Sequence, residues 1–178
     1  MITFLLIVIA ISVLAIIYIN SYNNLQYLKT KIEQAESVID ESLREKYDMI
    51  VKANNIIKKE LKTKKEYLKG LSSLKNEKIS NFDFDRRLVE YQNVINELIS
   101  DHEKLQDNKD LTNLLYDIKG LDERLVSGKD YYNKNTTESN HLIRKFPSTI
   151  VAKLLNYKIR PYFDGKNMQD DDIEDFKL

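Results

Sequence analysis

Two patterns of apolar residues divide the chain. From Met1 to Ile19 the run is almost unbroken, with Thr3 and Ser12 as its small polar members, and no charged side chain precedes Lys29. A run of this length is what an α-helix needs to cross bilayer hydrocarbon, where it satisfies every backbone N–H and C=O within its own segment. Residues 1–20 are therefore expected to form a transmembrane anchor. The competing reading, a cleaved signal peptide, lacks a basic leading segment and a small-residue cleavage site.

Beyond the anchor, apolar positions recur three and four apart, the period of one buried helix face. The first stripe is Leu25, Leu28, Ile32, Ala35, Ile39, Leu43, Tyr47, Ile50, Ile57, Leu61 and Leu68. It predicts a helix continuing to about Lys69, with its expected interruption at Asn54-Asn55, where the stripe is weakest, and ended by Gly70. The lysines at its end, Lys58, Lys59, Lys62, Lys64, Lys65 and Lys69, read either as a patch for an anionic partner or lipid headgroups or, as the favoured reading, as a solvated face suited to the negative end of the helix dipole. After a connection over 71–80, Ser80 or Asn81 caps a second helix with Asp83 and Asp85 in its first turn. Its stripe is Phe84, Leu88, Tyr91, Ile95, Leu98, His102 and Leu105. Asp107-Asn108 breaks the pattern, and Asn108 can cap a third helix with Leu111, Leu114, Ile118, Leu121, Leu125, Gly128, Tyr132, Asn135, Ser139, Leu142 and Phe146 on one face. Gly128 either lets a neighbouring helix approach closely or merely weakens the helix there, and the face turns polar at Asn135 and Ser139. Pro147 keeps Phe146 out of helical geometry. Ser148 then caps a short helix, Thr149 to Leu155, and Asn156 to Phe163 reads as an extended closing segment. The acidic tail 164–178 is expected to be disordered.

Stripes of this kind must hide against one another. The predicted fold is all-α: an N-terminal transmembrane helix (1–20), then an up-and-down antiparallel bundle of three long helices and a short C-terminal one (21–163). Coiled-coil-like spacing also permits self-association through the first helix.

Composition narrows the function. Charged residues make up 31% of the chain yet sum to a net charge of zero, which gives no field for recruiting nucleic acid. Four glycines and two prolines, none before Gly70, are the punctuation of a helical protein. The absence of cysteine excludes disulfides, thiolate metal sites and thiol nucleophiles. Lys29 and Lys31 follow the anchor and no basic side chain precedes it, so the positive-inside rule favours an outside N-terminus and a cytoplasmic bundle.

Tyr131-Tyr132-Asn133, Phe146-Pro147-Ser148, Ile150-Val151-Ala152 and Arg160-Pro161-Tyr162-Phe163 resemble the most distinctive segment of the LemA family. Tyr22-Asn23, Leu25, Leu28, Glu33, Ala35, Ser37, Ile39-Asp40, Leu43 and Tyr47-Asp48 fall in the family's order on the N-terminal side. The resemblance runs from the anchor to Phe163 and is weakest between Lys58 and Asp107. Met49-Ile50-Val51-Lys52 departs from it by lacking a proline, as do Thr136 and Ser139-Asn140, where the family has an apolar residue and a second tyrosine-asparagine pair. The resemblance implies a bacterial, single-pass membrane protein with a helical-bundle domain and no catalytic residues. Some members lie beside genes for a membrane zinc metallopeptidase, which points to envelope maintenance. It marks Tyr22, Asn23, Asp40, Asp48, Tyr132, Asn133, Phe146, Pro147, Pro161, Tyr162 and Phe163. Of these, Tyr132, Asn133, Phe146, Pro147, Tyr162 and Phe163 are expected to close the helix end and tuck the final segment onto the bundle.

Candidate chemistry is sparse. Glu138-x-x-His141 has the spacing of a di-iron ligand pair, but such a site needs a second Glu-x-x-His, and His102 has Ile99 three residues before it. No metal site or cofactor is expected, and no phosphate loop, zinc-protease helix or nucleophile elbow is present. Asp40 and Asp48, eight residues apart on nearly one helix face, read either as a solvated edge or as a docking surface. The leading expectation is a non-enzymatic membrane protein that scaffolds other membrane or envelope proteins, its other partner being the lipid bilayer. The alternative is a sensory or small-ligand-binding bundle with Asn135 and Ser139 lining a pocket.

Overall fold

With no glycine or proline to interrupt it, the chain begins as one continuous helix, α1 (Ile2–Glu60). The structure is a computed structural model and describes residues 1–63 and 65–163. The expected tail 164–178 and Lys64 lie outside the described residues. α2 (Leu71–Leu74), α3 (Asn81–Asp101), α4 (Glu103–Gln106), α5 (Lys109–Arg144) and α6 (Ser148–Leu154) follow, and the described residues contain no strand. The protein is an all-α bundle. Among the described residues, α1 is the one helix long and apolar enough to cross a membrane, and its residues 2–20 are exposed throughout.

The helix ends reward comparison with the sequence. α1 runs through Asn54-Asn55 without the expected interruption, and it stops at Glu60 rather than near Lys69. The stop is a Schellman motif: Lys62 adopts φ 48°, Lys62 N–H donates to Lys59 O at 3.2 Å, and Thr63 N–H to Lys58 O at 3.2 Å. Glycine usually fills that left-handed position, so a lysine there leaves no signal. Only Lys58 and Lys59 of the lysine run lie in the last turn of α1. Gly70, at φ 80°, instead starts α2. Ser80 caps α3 by accepting from the Asp83 N–H at 3.1 Å. α3 ends at His102, an extended residue outside any helical stripe, whose Nδ1 lies 2.9 Å from Leu98 O. Asn108 caps α5 by accepting from the Leu111 N–H at 2.9 Å. α5 ends at Arg144, leaving Phe146 73% exposed beyond its stripe. Ser148 is the first residue of α6 rather than its cap, which is Pro147.

The chain forms two compact units, and α1 and α5 contribute to both. The first unit comprises Met1–Glu36 and the chain from Asp130 onward. Its buried side chains include Leu25, Leu28, Ile32 and Ala35 of α1, Tyr132 and Asn135 of α5, and Val151 and Ala152 of α6.

The second unit, Ser37–Lys129, buries Ile39, Leu43, Ile50 and Ile57 with Leu88, Ile95, Ile118 and Leu125. Within it α5 runs against α1: Gly128 meets Ile39, Asp122 meets Lys46 and Asn108 meets Glu60. α5 also runs against α3, pairing Lys129 with Asp85 and Asp122 with Gln92. α1 and α3 therefore point the same way, and the connection 61–80 supplies the returning leg of the up-and-down path. Two tyrosines fasten that leg, Tyr47 through a hydroxyl bond to Leu71 O (3.0 Å) and Tyr91 through one to Lys69 O (2.9 Å). At Gly128 an added Cβ would stand 3.2 Å from Ile39 Cγ1, so of the two readings of this glycine the close approach is the one made.

Candidate functional site

In the first unit, the segment after α6 is fastened to α5 by side chains. α6 closes with its own Schellman motif at Asn156 (φ 56°), where Tyr157 N–H donates to Ala152 O at 2.8 Å. No strand among the described residues pairs with the chain beyond this turn, and its backbone groups find side-chain partners instead. Asn140 Nδ2 donates to Arg160 O (2.8 Å), and Asn140 Oδ1 accepts from Arg160 N–H (2.9 Å). Asn133 Oδ1 accepts from Phe163 N–H at 2.9 Å, and the Tyr132 hydroxyl donates to Pro161 O at 3.0 Å. Tyr132 and Phe163 meet edge to face, their centroids 6.4 Å apart, and the Tyr162 hydroxyl lies 3.0 Å from Thr137 Oγ1. Arg160 reaches α1, with Nη1 2.9 Å from Glu36 Oε1.

The spacing has a simple geometric cause. Seven residues of helix, Asn133 to Asn140, rise about 10 Å, and three residues of extended chain, Arg160 to Phe163, cover about the same distance. Two asparagines on one helix face thus match two backbone positions on the strap.

The other motif positions scatter. Tyr22 stacks on Tyr18 with centroids 6.4 Å apart and receives Gln26 Nε2 at 3.3 Å, while Asn23 is exposed. Asn135 and Ser139 are buried, and Asn135 Nδ2 donates to Tyr131 O within its own helix at 2.7 Å. Glu138 and His141 are both exposed. Among the described residues no three His, Asp or Glu side chains gather to hold a metal ion.

Asp40 and Asp48 belong to a different feature, in the second unit. Both line a cleft of about 240 Å³ whose other walls include Arg44, Tyr47, Leu74, Lys75, Glu77, Ile79 and Phe84. The Tyr47 and Phe84 rings lie 6.0 Å apart and give it an apolar wall. Arg44 Nε donates to Asp40 at 2.8 Å, and Asp48 is exposed. Burial, reinforced by the Asp48 carboxylate, holds the Tyr47 hydroxyl above its ordinary pKa, so it stays a donor to Leu71. The cleft offers carboxylates and cations around an apolar wall, which suits recognition of a peptide segment.

A buried charge on the core side of α1, away from the cleft, left little mark in the sequence. Lys46, 1% exposed, donates to Asp122 Oδ1 at 2.6 Å, and Asp122 Oδ2 accepts from Gln92 Nε2 at 2.9 Å. One carboxylate thereby ties α1, α3 and α5 together. The available signal was position, since Lys46 stands three residues after Leu43 and four before Ile50, in phase with the stripe.

No curated protein and no solved structure matches the chain. The model of the LemA family does match, over residues 35–174. That span begins after Tyr22 and Asn23 and takes in Asp40, Asp48, the asparagine pair on α5 and the strap they hold. A match across most of the sequence places this chain in the LemA family.

Proposed function

We propose that the protein is a non-enzymatic, single-pass membrane protein whose helical bundle scaffolds other membrane or envelope proteins. The cleft lined by Asp40, Asp48, Tyr47 and Phe84 is the observation that carries this reading. It combines an apolar wall with charged rims, and its two aspartates stand in the matched family span. Membrane attachment rests on the exposed apolar residues 2–20 of α1. Lys29 and Lys31 favour a cytoplasmic bundle, which makes inner-face membrane proteins the first candidates. Affinity purification of the full-length protein from mildly solubilised membranes tests this. An identified membrane protein should co-purify with the wild type and be lost with the Asp40→Lys/Asp48→Lys variant at unchanged thermal stability. Recovery of no specific partner, or of the same partners by both, would reject the reading.

A further inference from the structure

The first unit carries an apolar and basic surface beside the anchor that packing does not use. α6 buries Val151 and Ala152 against Leu25, with Leu142, Ile143 and Tyr157 around them. Its opposite face leaves Ile150 58% and Leu154 72% exposed, four residues apart and so on one side of the helix, and Phe146, two residues before the helix begins, is exposed as well. Single exposed apolar residues are ordinary, but a contiguous set marks an interaction surface.

Position identifies the occupant. Ser148, the first residue of α6, lies 3.5 Å through its hydroxyl from Ser21, immediately beyond the anchor's apolar run. Leu25, the contact of Val151 and Ala152, is only about 6 Å further along α1 at helical rise. The headgroup layer on each side of a bilayer is about 5–7 Å thick. If α1 spans the membrane to about residue 20, α6 sits at headgroup level. The stacked pair Tyr18 and Tyr22 stands at the same boundary, where aromatic side chains favour the interface.

Charge agrees with position. From Ser139 to Phe163 there is no Asp or Glu, although the whole chain is neutral. Arg160 in this stretch is taken by Glu36, while Arg144, Lys145, Lys153 and Lys158 are exposed. Long basic side chains interleaved with apolar ones are the composition of an interfacial segment on acidic lipid.

We propose that α6 and the turn before it rest on the membrane surface beside the anchor, with Phe146, Ile150 and Leu154 dipped into the interface and the surrounding cations on acidic lipid headgroups. This rests on α1 being a membrane anchor, and the experiment separates the two. Full-length protein carrying one cysteine, at Val13, Ile150, Leu154 or Thr112, is labelled with a fluorophore and reconstituted in phosphatidylcholine vesicles with and without phosphatidylglycerol. Brominated lipid should quench the label at Val13, Ile150 and Leu154 but not at Thr112, and iodide should reach Thr112 alone. Phosphatidylglycerol should deepen the quenching at positions 150 and 154, and Lys145→Glu with Lys153→Glu should abolish that difference. Lipid quenching at Val13 with positions 150 and 154 behaving like Thr112 would overturn the proposal and leave the anchor standing. Protection of 150 and 154 from iodide that disappears on diluting the protein in lipid would assign the surface to a second copy and overturn it too. Loss of lipid quenching at Val13 would remove the anchor and the proposal with it.

Discussion

The side chain of Asn140 holds Arg160 by both of its backbone polar groups, donating to the carbonyl at 2.8 Å and accepting from the N–H at 2.9 Å. The pair imitates strand pairing with a single amide, and it fixes where the strap crosses α5. Asn140→Ala removes both bonds and leaves two backbone groups partly buried, so it should destabilise the protein by about 1–3 kcal/mol. Thr137→Ala removes a contact on the exposed side and should stay within about 0.5 kcal/mol. Thermal unfolding of the two variants in the same detergent measures the contrast.

Alkaline pH should loosen both units. Burial is the chief cause that raises the hydroxyl pKa of Tyr47, Tyr91, Tyr132 and Tyr157, and the Glu36 carboxylate adds to it at Tyr132. An unfolded chain releases these protons near the ordinary value of about 10, before the native protein does. Stability is therefore complete below about pH 10 and is lost as pH rises through the higher native values. Tyr132→Phe should be less stable at neutral pH, having lost its bond to Pro161, yet fall less steeply above about pH 10. Denaturant unfolding on either side of that pH is the check.

The Lys46–Asp122 pair should respond unequally to loss of its two members. Asp122→Ala leaves an ammonium in a site only 1% exposed and should cost about 3–5 kcal/mol. Lys46→Met fills the same space with apolar atoms, and Asp122 at 34% exposure keeps water and Gln92 as partners. That variant should lose clearly less, by about 2 kcal/mol or more relative to Asp122→Ala. Chemical denaturation of both single variants decides it, and equal losses would contradict the assignment.

Two glycines in α5 predict opposite balances. At Gly120 an added Cβ meets nothing within 4 Å, so Gly120→Ala should stabilise by about 0.5–1 kcal/mol through helix propensity. At Gly128 the same Cβ crowds the buried Ile39 side chain at 3.2 Å. Crowding costs about 1 kcal/mol or more, so Gly128→Ala should be neutral or destabilising. Melting temperatures of the two proteins compare them directly.

Periodicity made much of this fold legible. The stripes from Leu25 to Ile57 and from Leu88 to Ile95 are buried where the spacing put them, because three- and four-residue repeats translate directly into a helix face. The helix ends were harder. Asn156 takes a left-handed position that asparagine tolerates, whereas Lys62 takes one that lysine rarely does, so the stop after Glu60 carried no mark. The returning leg over 61–80 was hidden for the same reason, since the leucines at 61 and 68 extend the stripe of α1 in phase. At the candidate site, Asp40 and Asp48 were visible as residues, but the cleft needs Leu74, Ile79 and Phe84 brought back beside them. Asn140 was visible only as one half of a departure from the family's tyrosine-asparagine pair. Its seven-residue spacing from Asn133 is the clue that marks both as strap holders.

The docking role is tested most directly by a photo-crosslinking amino acid placed at Lys75, on the wall of the cleft, in full-length protein in living cells. Tyr116, 78% exposed on α5, serves as the control position. Illumination should join position 75, but not position 116, to one identifiable membrane protein, and Asp40→Lys/Asp48→Lys should remove that adduct. No adduct at 75, or the same adducts at both positions with the aspartate variant unaffected, would contradict a scaffold that docks its partners at this cleft.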